Sequence, residues 1–317
     1  MLTIFSAPKP FTDHIDIIQR NAIRSWQELG TDIEVLLIGD EEGLSEVAGE
    51  YGVQQIPNVQ RNELGTPLVS SIFQLAREKA QHSTLCYVNA DIIILDDFIP
   101  SVQDIEETFD KFLMIGQRWD LAITERIKFE EGWQFELRKD LKVQGQLHPP
   151  AGSDYFVYKR ETFQDMPAFA LGRAGWDNWM IFAGRAGNIP VVDATQSVTI
   201  VHQDHDYAHL PDGQPHYRLP ESDENVRLGG GQETIFTLTD ADWIYADGKF
   251  QRKSRTKLWS RRGLETSVIA RFGPGRFSRS FRMLLHPLDT ITYYWKALRK
   301  RVERSSEMNL RMGKGRE

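Results

Sequence analysis

The chain has 317 residues, 38 basic and 45 acidic, for a formal net charge of −7. Its 40% hydrophobic and 26% charged content is ordinary for a globular protein, which excludes collagen-like, disordered and disulfide-scaffold classes. A single cysteine, Cys86, excludes an intrachain disulfide, and no apolar run approaches the ~18 residues of a membrane span. MLTIFSAPKPF lacks the basic flank and apolar stretch of a signal peptide, so a cytoplasmic chain is expected.

Leu2–Ser6 reads as a strand, stopped by Ala7-Pro8-Lys9-Pro10. From Asp13, the residues Ile15, Ile17, Ile18, Ala22, Ile23 and Trp26 recur at near-helical spacing up to Gly30. Glu34–Ile38 is a second strand closed by Gly39-Asp40, Leu44–Tyr51 a helix, and Val53–Ile56 a third strand. A helix is expected over Pro67–Ala80, with Thr66 as N-cap and Pro67 just inside it. Leu85–Leu95 is the most apolar run, broken only by Asn89-Ala90-Asp91. Further on, Phe112–Gly116 is apolar and Arg126–Lys142 has amphipathic-helix spacing. Tyr155–Tyr158 predicts a strand, Trp176–Ala183 a helix, and Val191–Val192 and Val198–His202 two more strands. This alternation implies an α/β fold with a mainly parallel sheet covered by helices on both faces. Ligands of such sheets bind beyond the carboxyl ends of the strands, which directs attention to Ser6–Pro8, Asp40 and Asn89–Asp91.

The charge is unevenly spread. Residues 249–317 carry 19 basic and five acidic groups, a net of +14, which leaves −21 on residues 1–248. A body (1–248) and a basic extension (249–317) are therefore expected, the latter helical over Leu288–Val302 and disordered after Ser305. The stretch 271–304 interleaves arginine with Phe272, Phe277, Phe281, Leu284, Tyr294 and Trp295, which suits an anionic membrane surface. Docking onto the acidic body is the alternative. Nucleic acid is disfavoured, because that body repels polyanions and no recognition motif is present.

Two polar residues inside an apolar run need compensation. Asp91 either meets a divalent cation or ends its strand and accepts backbone hydrogen bonds. TIVHQDHDYAH, residues 199–209, packs His202, Asp204, His205, Asp206 and His209 behind a strand, a residue set that suits a metal or catalytic shell. Asp154 precedes a strand and Asp177 opens a helix, where an acid either acts on substrate or simply complements the helix dipole. Trp176 and Trp179 beside Asp177 suit the walls of a sugar pocket. Gly229-Gly230-Gly231 lacks the strand–turn–helix setting of a phosphate loop, and Cys86 reads as a core residue. No G-x-G-x-x-G follows the first strand, which disfavours a nicotinamide-dependent oxidoreductase.

With these pieces placed, the chain resembles nucleotide-sugar glycosyltransferases with a GT-A fold, of the family-2-like kind found in polysaccharide synthesis. The resemblance is carried by TIFSAP, IGD, RNELGTP, YVNADIII as a variant DxD strand, GWDNW and IVHQDHDY, over about residues 3–206. It implies a Rossmann-type sheet and a nucleoside site at Ser6, Ala7, Pro8, Asp40 and Asn62, with Asp40 near the base. Asn89 and Asp91 stand at the DxD positions, and Asp91 would hold Mn²⁺ or Mg²⁺ together with His202 and His205. Asp177 falls where inverting members place the base for the acceptor hydroxyl, with Asp154, Trp176 and Trp179 about the sugar and acceptor. The implied substrates are a nucleotide-sugar donor and a glycan or lipid-linked acceptor. One departure is Asn89, which removes a charge from the DxD site. A nucleotidyltransferase, or a catalytically silent nucleotide- or sugar-binding protein on the same scaffold, are the alternatives. The first would normally carry a basic, glycine-rich loop after the first strand, where SAPKPF has only Lys9.

Overall fold

The computed structural model describes residues 2–205, 219–253 and 260–287. The chain divides into two compact units, Met1–Arg255 and Thr256–Glu317. The apolar runs of the first unit become β1 (Leu2–Ser6), β2 (Ile33–Ile38), β3 (Gln54–Ile56) and β4 (Thr84–Val88), connected by α1 (Asp13–Gln27), α2 (Leu44–Tyr51) and α3 (Val69–Lys79). Downstream come β5 (Ile92–Ile94), α4 (Phe98–Thr108), β6 (Leu113–Ile115), β7 (Trp119–Leu121), α5 (Trp133–Gln144), β8 (Gln146–Leu147) and β9 (Tyr155–Lys159). Then follow α6 (Trp176–Ala186), β10 (Val191–Asp193), β11 (Ile200–Gln203), α7 (Pro220–Leu228), β12 (Trp243–Ala246) and β13 (Lys249–Arg252).

Among the described residues, nine strands form a sheet in the order β13-β12-β10-β6-β9-β4-β1-β2-β3. It is mixed but mainly parallel. Antiparallel pairings occur only where β9 enters between β4 and β6 and at the β12–β13 hairpin. β1 and β4 are buried along their whole length, as strands covered on both faces must be. The hairpin turns through Asp247 (φ 50°) and Gly248 (φ 68°), left-handed at both positions and matched to the twist of the flanking strands. The boundary expected at 248 therefore falls inside this hairpin.

Leu85–Leu95 is not one interrupted strand. β4 ends at Val88, and β5 belongs to a second sheet of order β5-β11-β7-β8. Asn89-Ala90-Asp91 is the step from one sheet to the other, which is why polar residues are tolerated there. Trp26 fixes the far side of the step, donating from Nε1 to the Ile92 carbonyl (2.9 Å).

Two helix starts differ from expectation. α3 begins at Val69 because Pro67 bridges to Arg61 and Leu68 to Ala170, which keeps both extended and makes Leu68, not Thr66, the N-cap. α5 begins only at Trp133, after Gly132 at φ 85°. The preceding stretch is tied to α1 instead, since the Ile127 amide donates to Asn21 Oδ1 (2.9 Å) and Arg126 pairs with Asp16 (3.0 Å).

In the second unit, helices Arg261–Phe272 and Arg276–Leu285 pack on each other around buried Glu265, Thr266, Ile269 and Ser278. The helix expected over Leu288–Val302 and the residues after Ser305 lie outside the described residues. Among the described residues, no helix is long and apolar enough to cross a membrane.

Candidate functional site

The step between the two sheets gathers side chains from three strands. Asp91 directly precedes Ile92, whose partner across the β5–β11 pair is His202, and His202 faces Asp120 on β7. Asp91 Oδ2 lies 3.1 Å from His205 Nε2 and 4.0 Å from His202 Nε2. The three residues present ligand atoms within 4.8 Å of one another. Asp91 Oδ1 is buried and has no hydrogen-bond partner among the described residues. The backbone behind it is fixed by Gln203, fully buried, whose Nε2 donates to the Asp91 carbonyl (3.1 Å) while Oε1 accepts from Asn21 Nδ2 (2.9 Å). Burial alone would raise the Asp91 pKa. The His205 hydrogen bond and the nearby charges of His202 and Lys9 outweigh it and hold the carboxyl well below the usual carboxylate range.

A second tier orients the first. His202 Nδ1 lies 3.1 Å from Asp120 Oδ1 and 3.5 Å from Asp204 Oδ1. Asp120 is in turn held by Arg118 Nε (2.8 Å) and His148 Nδ1 (2.8 Å). Carboxylates close to Nδ1 leave Nε2 directed toward Asp91, a disposition like that behind a metal-binding imidazole. Burial lowers the His202 pKa, but Asp120 and Asp91 prevail and raise it. Arg118 also donates from Nη1 to Asp154 Oδ1 (2.8 Å), which accepts from Asn89 Nδ2 as well (2.9 Å). Tyr87 completes the chain, its hydroxyl donating to Asn89 Oδ1 (2.9 Å). Asn89 is thus turned toward Asp154 and does not join Asp91, His202 and His205.

Asp177 occupies the first turn of α6, which Gly175 opens at φ 103°. Burial pushes its carboxyl up, backbone amides of the turn oppose this, the charge of Asp154 adds to it, and the result is about 6. Gly152 packs against this carboxylate so closely that a Cβ there would lie 1.9 Å from Asp177 Oδ2.

Other expected site residues have different surroundings. Trp176 is a correction: it is 5% exposed and sits in an aromatic core with Phe73, Tyr87 and Phe156, so it cannot wall a sugar pocket. Trp179 stacks edge-on against Phe169 and abuts Gly229. Ser6 is fully buried and its Oγ donates to the Val88 carbonyl (2.6 Å), joining β1 to β4 rather than facing a ligand. Ala7 and Pro8 continue from the carboxyl end of β1. Asn62 organises its own turn, accepting from the Leu64 and Thr66 amides and donating to Glu221 Oε1 (2.6 Å). Asp40 is exposed at the end of β2 and pairs with Arg61 (2.5 Å). Asp206 and His209 lie outside the described residues.

Sequence reasoning missed Arg118, Asp120, His148 and Lys9 as site residues. Asp120 did leave a signal, an acid between Trp119 and Leu121 in a period-2 run. Lys9 follows β1 and is half-buried; burial lowers its pKa and the Asp91 charge opposes that.

No family model and no curated protein matches the chain. Similar solved structures include S. aureus TarS in complex with UDP-GlcNAc, 10% identical over 90% of this chain and 79% of that one, with a TM-score of 0.49. Another is glucosyl-3-phosphoglycerate synthase from Mycobacterium tuberculosis with Mn²⁺, uridine diphosphate and phosphoglyceric acid. It is 16% identical over 64% of this chain and 70% of that one, with a TM-score of 0.40. These are likenesses of backbone path, and any role for this chain rests on its own side chains.

Proposed function

We propose that the chain is a glycosyltransferase that moves a sugar from a nucleoside-diphosphate donor to a hydroxyl acceptor, with inversion, in the cytoplasmic synthesis of a polysaccharide or glycoconjugate. One observation carries the reading: Asp91, half-buried with a buried and unpartnered Oδ1, converges with His202 and His205 just past the carboxyl end of β4. Asp91, His202 and His205 are the residues that would hold a divalent cation; the ionised carboxylate suits Mn²⁺, and the two imidazoles disfavour Mg²⁺, which prefers oxygen ligands alone. A divalent cation bound there would offset the charge that gathers on the departing diphosphate.

The remaining work falls to the protein's own groups. Asp120 keeps His202 in the orientation that leaves Nε2 available. Lys9, beside Asp91, supplies a second positive charge for the phosphates. The loop Ala7–Pro8 and Asp40, at the ends of β1 and β2, border the nucleoside. Asp177, with a pKa of about 6, is ionised at neutral pH yet still basic enough to accept the proton of the acceptor hydroxyl as the new bond forms. Asp154, held by Arg118 and Asn89, keeps a negative charge near Asp177 that raises its basicity.

The test is a panel of nucleotide sugars with Mn²⁺, read as release of nucleoside diphosphate in the presence of simple glycan acceptors. Release from one donor, absent in Asp177→Asn, supports the reading. No release from any donor, and no binding of any nucleoside diphosphate, overturns it. Lys9 beside the acidic centre is the one observation that favours a nucleotidyltransferase. Pyrophosphate release from a nucleoside triphosphate and a sugar phosphate would decide for that instead.

A further inference from the structure

Gly152 stands in the connection between β8 and β9, opposite the first turn of α6. A Cβ built on it meets a single residue: it would lie 1.9 Å from Asp177 Oδ2 and 3.2 Å from Asp177 Cγ. Gly152 is not in the left-handed region, so its conformation does not call for glycine. What glycine supplies here is space.

The backbone around Gly152 is tied down on both sides. The Ala151 carbonyl accepts from Asn178 Nδ2 (2.7 Å), which joins the loop to the residue after Asp177. Ser153 is buried, and its Oγ accepts from the Gly116 amide (3.3 Å) and donates to the Tyr155 carbonyl (2.8 Å). The Asp154 carbonyl accepts from the Asn89 amide (3.0 Å). Across the contact, buried Trp176 and Met180 anchor the start of α6 on either side of Asp177. The part of this contact left free to turn is the Asp177 side chain.

We infer that Gly152 is a positioning residue for Asp177, its bare Cα forming the wall against which the carboxylate is held. Its effect on turnover rests on the catalytic reading, whereas the placement of the carboxylate does not. Asp177 is half-buried, so a methyl group at position 152 turns the carboxylate toward its exposed side. Burial is the main cause of the raised Asp177 pKa, and that cause weakens as the group moves outward.

The test is Gly152→Ala, read first by NMR titration of carboxyl carbons, with the Asp177 signal identified by its loss in Asp177→Asn. Asp177 should titrate at about 6 in wild type and move toward the ordinary 3.8 in Gly152→Ala. Turnover should fall about 10²-fold with nucleoside-diphosphate affinity unchanged, because the base is misplaced and the donor site is not. The acidic limb of the pH–rate profile should move down with the carboxyl. A folded Gly152→Ala in which Asp177 still titrates at about 6 overturns the assignment. Where Gly152→Ala does not fold, the double variant with Asp177→Ala decides. Recovery of the fold supports the contact, and continued failure to fold overturns it. The two readings fail separately: a shifted carboxyl with unchanged turnover keeps Gly152 in its role and removes Asp177 as the base.

Discussion

Asp91 and Asp177 are carboxylates withdrawn from solvent within the same unit, and their surroundings drive them in opposite directions. At the sheet-to-sheet step, two imidazoles and Lys9 overcome burial and keep Asp91 ionised far below its ordinary range. At the start of α6, burial and the charge of Asp154 outweigh the backbone amides and hold Asp177 near 6. Strongly split carboxylate environments are how one site supports two chemistries at a single pH. Under the proposed function, the first centre binds positive charge and the second exchanges a proton. Arg118 pairs with Asp120, behind the first centre, and with Asp154, whose charge acts on the second.

The comparison can be broken most sharply at Asp91. Asp91→Ala leaves His202 and His205 with no carboxylate between them, and donor turnover should fall on the order of 10³-fold, with loss of any metal dependence. Asp177→Asn should lower turnover by about 10²–10⁴-fold while leaving nucleotide affinity intact, which separates proton transfer from binding. The same variant has a stability signature of opposite sign. The folded chain binds the Asp177 proton more tightly than the unfolded chain, whose pKa is the ordinary 3.8. Stability from this group is therefore full below about pH 4, declines as pH rises toward 6, and stays low above that. Asparagine escapes the decline, so denaturant midpoints of Asp177→Asn at pH 7 should correspond to a gain of about 3 kcal/mol, shrinking to under about 1 kcal/mol near pH 4. If Asp177 is the base, wild-type turnover should rise with pH through about 6 to a plateau.

Smaller effects sharpen the boundary between the two centres. Asp120→Asn loosens His202 without touching Asp177, and apparent metal affinity should drop about 10–100-fold, with turnover at saturating metal recovering most of its value. Lys9→Met should weaken nucleoside-diphosphate affinity by about tenfold, and salt should reduce the difference from wild type.

The parallel half of the sheet was legible because β1, β2 and β4 are short apolar runs bounded by Pro, Gly or Asp, signals contained within each segment. The convergence of Asp91, His202 and His205 was legible for a related reason, since polar groups interrupting or ending apolar runs need a partner. The second tier was not. Asp120, Arg118 and His148 acquire meaning only when β7, β8 and β11 pair, and that register is set by contacts distant in sequence, such as Asp120 with Gln146 and with His202. Trp176 misled for the converse reason: an aromatic beside an acid in GWDNW looks like a pocket wall, yet helical geometry turns Trp176 into the core. Pro67 gave a sound local signal for a helix start that bridging to Arg61 overrode. The Asp247-Gly248 hairpin was readable from its turn residues alone, had the +14 charge of the segment not drawn the boundary there instead.

The most direct test of the split between the two carboxylates is calorimetric titration of nucleoside diphosphates, with and without Mn²⁺, into wild type, Asp91→Ala and Asp177→Asn. The account predicts Mn²⁺-dependent binding of one nucleotide to wild type and Asp177→Asn alike, and its loss in Asp91→Ala. Binding that ignores Mn²⁺, or that survives in Asp91→Ala and disappears in Asp177→Asn, would contradict it.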